Sequence, residues 1–238
     1  MSRTSFENYG RLAASDHHHT VIAGRYLNQL VAEKLIPLDV MEKLDLGPKD
    51  SLLEIGCGTG NILIPLSFIA GSSSGLDHSS VIGRLAERLS GSEIQCFMGN
   101  FLDTDIDGEF SKILIYSVVH CLSDEDEVLM FLDKALGLLA AGGKLLIGDI
   151  PNVDLKAKFL ASSEGKVFQK AWETEVESAG IPDLDLPEDT DTIEFNDAVL
   201  SRIQNHLKLV GYQSERMGQP QELPFGHTRE DLLAWRDS

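Results

Sequence analysis

Apolar residues recur along this chain in two alternating rhythms. Short runs at 51–55, 73–77, 93–98, 112–117 and 143–149 have strand length, and the stretches between them at about 60–70, 80–90 and 124–139 carry apolar positions at helical spacing. Strand and helix taken in turn predict βαβ units, whose parallel strands share one sheet with helices on its faces. Residues 20–36, "TVIAGRYLNQLVAEKLI", also have helical spacing and run into Pro37, so one helix closed by that proline is expected ahead of the sheet. Behind the sheet, residues 196–210 read as a helix, and "GYQSERMGQ" with "TREDLLAWR" as a closing pair of strands. Between 151 and 195 no strand has a place in the alternation. A connection of that length is a lid or a disordered segment, and its acidic run at 183–191, "DLDLPEDTD", suits a solvated loop.

The first run ends in "LLEIGCGTGN". A dinucleotide fingerprint needs GxGxxG, but here the glycines are Gly56, Gly58 and Gly60, spaced GxGxG, with Asn61 where the third should fall. Glu54, two residues before the first glycine, would repel a pyrophosphate and would hold the ammonium end of a zwitterion. A cationic ligand without phosphate fits this turn better. Asp77 stands at the end of the second run, where a carboxylate accepts hydrogen bonds from ribose hydroxyls, a feature that nicotinamide and adenosyl ligands share.

Charge narrows the partners. With 38 acidic and 20 basic residues the chain carries −18, a field that opposes nucleic acid and anionic membrane surfaces. No apolar run reaches the ~20 residues of a membrane span. Cys57, Cys96 and Cys121 are scattered without a CxxC, and the first residues lack a signal peptide's basic and apolar regions, so a reduced, cytoplasmic protein is expected.

Five segments in order carry a resemblance: "LLEIGCGTGN", "GLDHS", "CFMGNF", "FSKILIYSVVHCL" and "LLAAGGKLLIGD". Over residues 50–150 the chain resembles the class I S-adenosylmethionine-dependent methyltransferases. The resemblance implies an α/β fold, a Rossmann-like seven-stranded, mostly parallel sheet with helices on both faces. The chain then divides into an N-terminal helical cap (1–48), a cofactor-binding core (49–150), an acceptor lid (151–195) and a closing helix and strand pair (196–238) within one domain. It further implies that Glu54, Gly56, Gly58 and Gly60 hold the methionine part of S-adenosylmethionine and that Asp77 takes the ribose. His78 would lie against the adenine, with Asn100 and Phe101 at its edge. Asn100 stands where the family usually has Asp, and its amide oxygen can accept the same hydrogen bond.

Methyl transfer needs an aligned nucleophile and, for a hydroxyl, removal of a proton. Tyr116 and His120 end the fourth strand near the ligand edge. His120 is a base or a packing residue, and Tyr116 packs beside the methionine chain. Asp149, ending the fifth strand, orients His120, touches the acceptor or caps a turn. In "SDHHHT", Ser15 or Asp16 is the expected helix cap, while Tyr9 and His19 are candidates for the acceptor pocket. No ligand cluster suggests a metal. The reading is methyl transfer to oxygen or nitrogen of a small molecule, of a carbohydrate or secondary-metabolite kind. A non-catalytic adenosyl-binding subunit and, against the glycine spacing, a nicotinamide oxidoreductase are the alternatives.

Overall fold

The computed structural model describes residues 3–89, 93–179 and 191–236. Its first part consists of α1 (Arg3–Ala13), α2 (His19–Ile22), a 3-10 turn at Leu27–Gln29 running into α3 (Leu30–Glu33), and α4 (Ile36–Leu44). This corrects the single helix expected over 20–36. Gly24 adopts a left-handed φ of 74° and Tyr26 is extended, so the rod breaks between them. Pro37 lies in the first turn of α4, where its missing N–H leaves no bond unmade, and it opens a helix where it was expected to close one. The cap of α2 is His18, whose Nδ1 accepts from the Thr20 N–H at 3.2 Å, in place of Ser15 or Asp16.

The alternation then runs β1 (Ser51–Ile55), α5 (Leu63–Ser67), β2 (Ser72–Asp77), α6 (Ser79–Arg88), β3 (Ile94–Met98), β4 (Phe110–Tyr116), α7 (Glu125–Gly137) and β5 (Leu139–Pro151). There follow α8 (Val153–Ala161), α9 (Ser163–Ala179), α10 (Asp197–Leu209), β6 (Gln213–Gly218) and β7 (Arg229–Trp235). Seven strands form one sheet in the order β3-β2-β1-β4-β5-β7-β6, the first five parallel and β7 antiparallel to both its neighbours.

Period-two side chains feed two apolar layers. On one face Leu53, Ile55, Ile113, Ile115 and Ile147 meet Phe131 of α7 and Leu200 of α10; on the other, Leu52, Leu114 and Leu146 meet α4, α5 and α6 through Leu44, Leu63 and Leu85. Strand order reverses between β1 and β4, so a crevice opens beyond their carboxyl ends. Residues 151–179, expected as part of a long connection, are largely helical. Residues 180–190, with most of the acidic run at 183–191, lie outside the described residues. No described helix is long and apolar enough to cross a membrane, and all three cysteines are free thiols.

Candidate functional site

The crevice between the ends of β1 and β4 is lined by Glu54, Gly56, Gly58, Asp77, Tyr116 and Ser117 from the sheet, and closed from above by Tyr9, Ile22 and Arg25. It encloses about 620 Å³ of atom-free space, counting that open to solvent. The glycine turn needs glycine for two reasons. Gly56, Gly58 and Gly60 all have positive φ, and a Cβ on Gly56 would stand 2.3 Å from Val118 Cγ2. At Gly58 a Cβ would meet nothing within 4 Å, so the backbone there faces open space.

Two ionisable groups of opposite type are buried along this crevice, Glu54 below and Arg25 in its cover. Glu54 is 2% exposed and its Oε2 has no partner among the described residues; burial first, then the neighbouring Asp77, push its carboxyl well above the usual carboxylate range, while Arg25 pulls it back. Arg25 is 7% exposed. It donates through Nη2 to Ser117 Oγ at 2.9 Å and through Nη1 to the Ala23 carbonyl, while its Nε has no partner among the described residues. A buried acceptor and a buried donor left open in one crevice match the ammonium and carboxylate of an α-amino acid.

Asp77 accepts from Gly58 N–H at 2.8 Å and from His78 N–H at 2.7 Å, which fixes the carboxylate at the mouth of the turn and leaves further lone pairs on both oxygens. Burial raises it to about 6 against the pull of those two N–H groups. Beyond Asp77 an apolar slot of about 280 Å³ runs between Ile55, Leu76, Phe101, Val118 and Phe6, with Asn100 at its rim. Its walls suit a flat heteroaromatic ring.

Residues 53–147 match the family model described as a methyltransferase domain. The matched segment runs from β1 to β5 and is similar to that family. No curated protein sequence matches the chain. Solved structures share its fold along their whole length. The CcbJ methyltransferase from Streptomyces caelestis is 16% identical with a TM-score of 0.64, covering 99% of this chain and 98% of its own. N-methyltransferase NodS from Bradyrhizobium japonicum, in complex with S-adenosylhomocysteine, is 16% identical with a TM-score of 0.62 and 98% of each chain covered. Magnesium protoporphyrin IX methyltransferase from Synechocystis, also with bound S-adenosylhomocysteine, is 15% identical with a TM-score of 0.61, covering 99% of this chain and 95% of its own.

Around this crevice the structure places several of the expected site residues elsewhere. His78 does not lie along the ring slot. Its Nδ1 caps α6 by accepting from Ser80 N–H, and α1 packs onto its ring through Phe6, 4.9 Å away, and Gly10, where a Cβ would clash with the imidazole. Phe6 takes the place on the slot wall that His78 was expected to fill. The Asn100 amide oxygen already accepts from Leu102 N–H at 3.1 Å, capping the 3-10 turn Phe101–Asp103, so one of its lone pairs is spent on the backbone. His19 is absent from the crevice lining, and its backbone carbonyl instead receives Asn61 Nδ2. Tyr9 does line the crevice, its hydroxyl pushed above the usual tyrosine range by Cys121 and by burial. Tyr116 lines it too, with its hydroxyl receiving Gln219 Nε2 at 3.1 Å and its ring beneath Arg25.

His120 sits in the 3-10 turn Val119–Cys121. Burial pushes its imidazole down to about 4, against the opposing pull of Asp149. It is neutral at physiological pH, with an Nδ1 unpartnered among the described residues, which favours the packing or orienting alternative over the base. Asp149 is neither a turn cap nor a helix cap. Its Oδ2 accepts from Ser117 Oγ and lies 3.7 Å from Arg25 Nη2, while its Oδ1 lies 3.6 Å from Arg229 Nε. Ser117 and Asp149 both have φ of 59°, strained values for side-chain-bearing residues at the adjoining ends of β4 and β5.

Arg229 opens onto a second cavity, lined by Asn152, Lys156, Phe159, Phe168, Trp172 and Phe225 among others. Sequence reasoning missed this cavity, Arg25 and Phe6. Gly24 interrupting the 20–36 pattern was the available signal for Arg25; the others come from segments joined only by the fold.

Proposed function

We propose that this protein transfers a methyl group from S-adenosylmethionine to an oxygen or nitrogen of a small molecule. The observation that carries the reading is the pair of open buried charges, Glu54 and Arg25, beside a glycine turn and next to Asp77 and the apolar slot. In that order they complement an amino-acid zwitterion, a ribose and a flat base. The fold's solved relatives bound to S-adenosylhomocysteine support the same ligand. When bound, S-adenosylmethionine supplies an electrophilic methyl carbon on a positively charged sulfur.

The residues of the chain do the remaining work. Glu54 holds the ammonium at its open Oε2 and Arg25 the carboxylate at its open Nε, while Glu33 and Asp149 at 3.6 and 3.7 Å hold the rest of the guanidinium in place. Asp77 receives the ribose hydroxyls, and Phe6 and Phe101 enclose the base. Tyr9, Ile22 and Arg25 cover the crevice and reduce the water around the developing charges. At the acceptor side, neutral His120 and the Asp149 carboxyl offer hydrogen-bond acceptors. They orient the nucleophile, and alignment supplies most of the acceleration.

Calorimetric titration tests the reading. S-adenosylmethionine and S-adenosylhomocysteine should bind, and NAD should not. Binding should weaken at least tenfold in Asp77→Ala and in Glu54→Gln, because each removes a charge-assisted contact of ~1.5–3 kcal/mol. Tight binding of NAD, or none of either adenosyl ligand, sinks it.

A further inference from the structure

The second cavity lies between the helices α8 and α9 and the segment 225–229, and holds about 1150 Å³ of atom-free space, part of it open to solvent. Its walls are aromatic. Phe168 stands edge-on to Phe159 at 5.5 Å, Trp172 is edge-on to both Phe225 at 5.9 Å and Tyr26 at 5.3 Å, and His227 stacks flat on Phe159 at 4.3 Å. Ring faces and edges exposed together favour another planar ring over a flexible chain.

The polar groups at its inner end have unfilled capacity. Arg229 Nε and Nη1 and Asp149 Oδ1 are all buried, and none has a hydrogen-bond partner among the described residues. Arg229 and Asp149 are 3.6 Å apart, an ion pair too long for a hydrogen bond, so each keeps its valence open toward a third group. One ligand can satisfy both if it carries an anionic oxygen for the guanidinium and an O–H or N–H for the carboxylate. Lys156 and Arg229 stand against Glu173 in the lining and Asp149 beside Arg229, so the anion preference comes from the open guanidinium nitrogens of Arg229 rather than from an excess of positive charge.

Asp149 also joins this cavity to the adenosyl crevice, since its other oxygen accepts from Ser117, which lines that crevice. Arg229 of one cavity and Ser117 of the other are therefore linked through one carboxylate, Asp149. We propose that the aromatic cavity is the acceptor site, and that the acceptor is a planar aromatic acid whose anionic group pairs with Arg229 and whose nucleophilic hydroxyl or amine donates to Asp149. This rests on the methyl-transfer reading above. In the transfer the nucleophile's lone pair forms the bond to the methyl carbon, the carbon–sulfur bond breaks with its electrons going to sulfur, and the nucleophile's proton passes to Asp149 or to solvent.

Matched probes test it by calorimetry on the full chain, with and without S-adenosylhomocysteine: 3-hydroxy-2-naphthoate, neutral 2-naphthol, cationic 2-naphthylmethylammonium and the aliphatic 3-hydroxydecanoate. The naphthoate should bind at least tenfold more tightly than any of the other three. In Arg229→Gln that advantage over 2-naphthol should fall to threefold or less, and Arg229→Lys should restore part of it. Phe168 is 38% exposed, so Phe168→Ala leaves folding intact; it should weaken both naphthalene probes while preserving the ratio between them. If Arg229→Gln melts early, the ratio between probes and the Phe168→Ala data still decide. Equal or tighter binding of the neutral, cationic or aliphatic probe, or no naphthoate binding, overturns the proposal. Naphthoate binding with no S-adenosylhomocysteine binding would support the anion site and overturn the methyl-transfer reading instead.

Discussion

Acidification should release the adenosyl ligand, and the size of the effect follows from Asp77. In the folded protein its carboxyl titrates at about 6, because burial disfavours the charge by more than the Gly58 and His78 N–H groups restore it. Ribose hydroxyls donate to the ionised form, so the ligand selects that form. One pH unit below 6 roughly a tenth of the molecules are ionised, and apparent affinity falls about tenfold, ~1.4 kcal/mol. Above about pH 7 the curve is flat with respect to Asp77. Glu54 is raised as well and must ionise to meet the ligand's ammonium, so it adds to the loss of affinity on acidification.

Stability responds with the opposite sign. A carboxyl raised on folding from 3.8 to about 6 stabilises the folded state below its unfolded value, and that contribution is lost as pH rises through about 6. Asp77→Asn should therefore melt higher than the wild type at neutral pH while binding S-adenosylhomocysteine more weakly, with a smaller dependence on pH. Calorimetry from about pH 5 to pH 8, paired with thermal melts in the same buffers, measures both. Affinity constant within twofold across that range, or a pH dependence unchanged in Asp77→Asn, would refute the ribose role and the burial argument beneath it.

Gly56→Ala places a methyl against Val118 in a left-handed backbone and should cost about 2 kcal/mol of stability, read as a lower Tm, and abolish measurable adenosyl binding. His120→Asn should leave turnover within tenfold of wild type with an unchanged pH profile above about pH 6, since an imidazole at about 4 is not the titrating base; a hundredfold loss would restore His120 as the base. The same variant should resist acid better. His120 is depressed on folding, so its contribution to stability is full above about 6.5 and is lost as pH falls towards about 4, and thermal melts over that window should show the loss in wild type alone.

The sheet was legible because strands buried on both faces read as continuous apolar runs, and the glycine turn because positive φ leaves glycine few substitutes. Glu54 and Asp77 followed from their places at the ends of β1 and β2. The N-terminal segment was misread because residues 20–36 keep helical spacing through a break made by one glycine. Spacing records which face is buried and says nothing of whether the rod is continuous. His78 and Asn100 were assigned to the ligand, yet each spends a lone pair capping the helical turn that follows it, a local bond competing with the distant one. The aromatic cavity was out of reach: Phe159, Trp172, Phe225 and Arg229 share no period, and only the fold brings α8 and α9 to the segment 225–229.

Ser117 tests whether the strain at the junction of the two cavities is kept for its hydrogen bonds. Its φ of 59° costs a residue with a Cβ about 1–2 kcal/mol, while its hydroxyl receives Arg25 and donates to Asp149. Ser117→Ala keeps the strain and loses both bonds; Ser117→Gly loses the same bonds and relieves the strain. Subtracting one variant from the other cancels the hydroxyl, so the glycine form should be the more stable by about 1 kcal/mol, or ~2–4 °C in Tm for a chain of this size. Both should bind S-adenosylhomocysteine more weakly than wild type, because Arg25 loses the group that aims it into the crevice. If alanine matches or exceeds glycine in Tm, the left-handed backbone is not strained. If both bind like wild type, Arg25 is held by its Ala23, Glu33 and Asp149 contacts without Ser117, and the Ser117–Asp149 bond serves the acceptor side only.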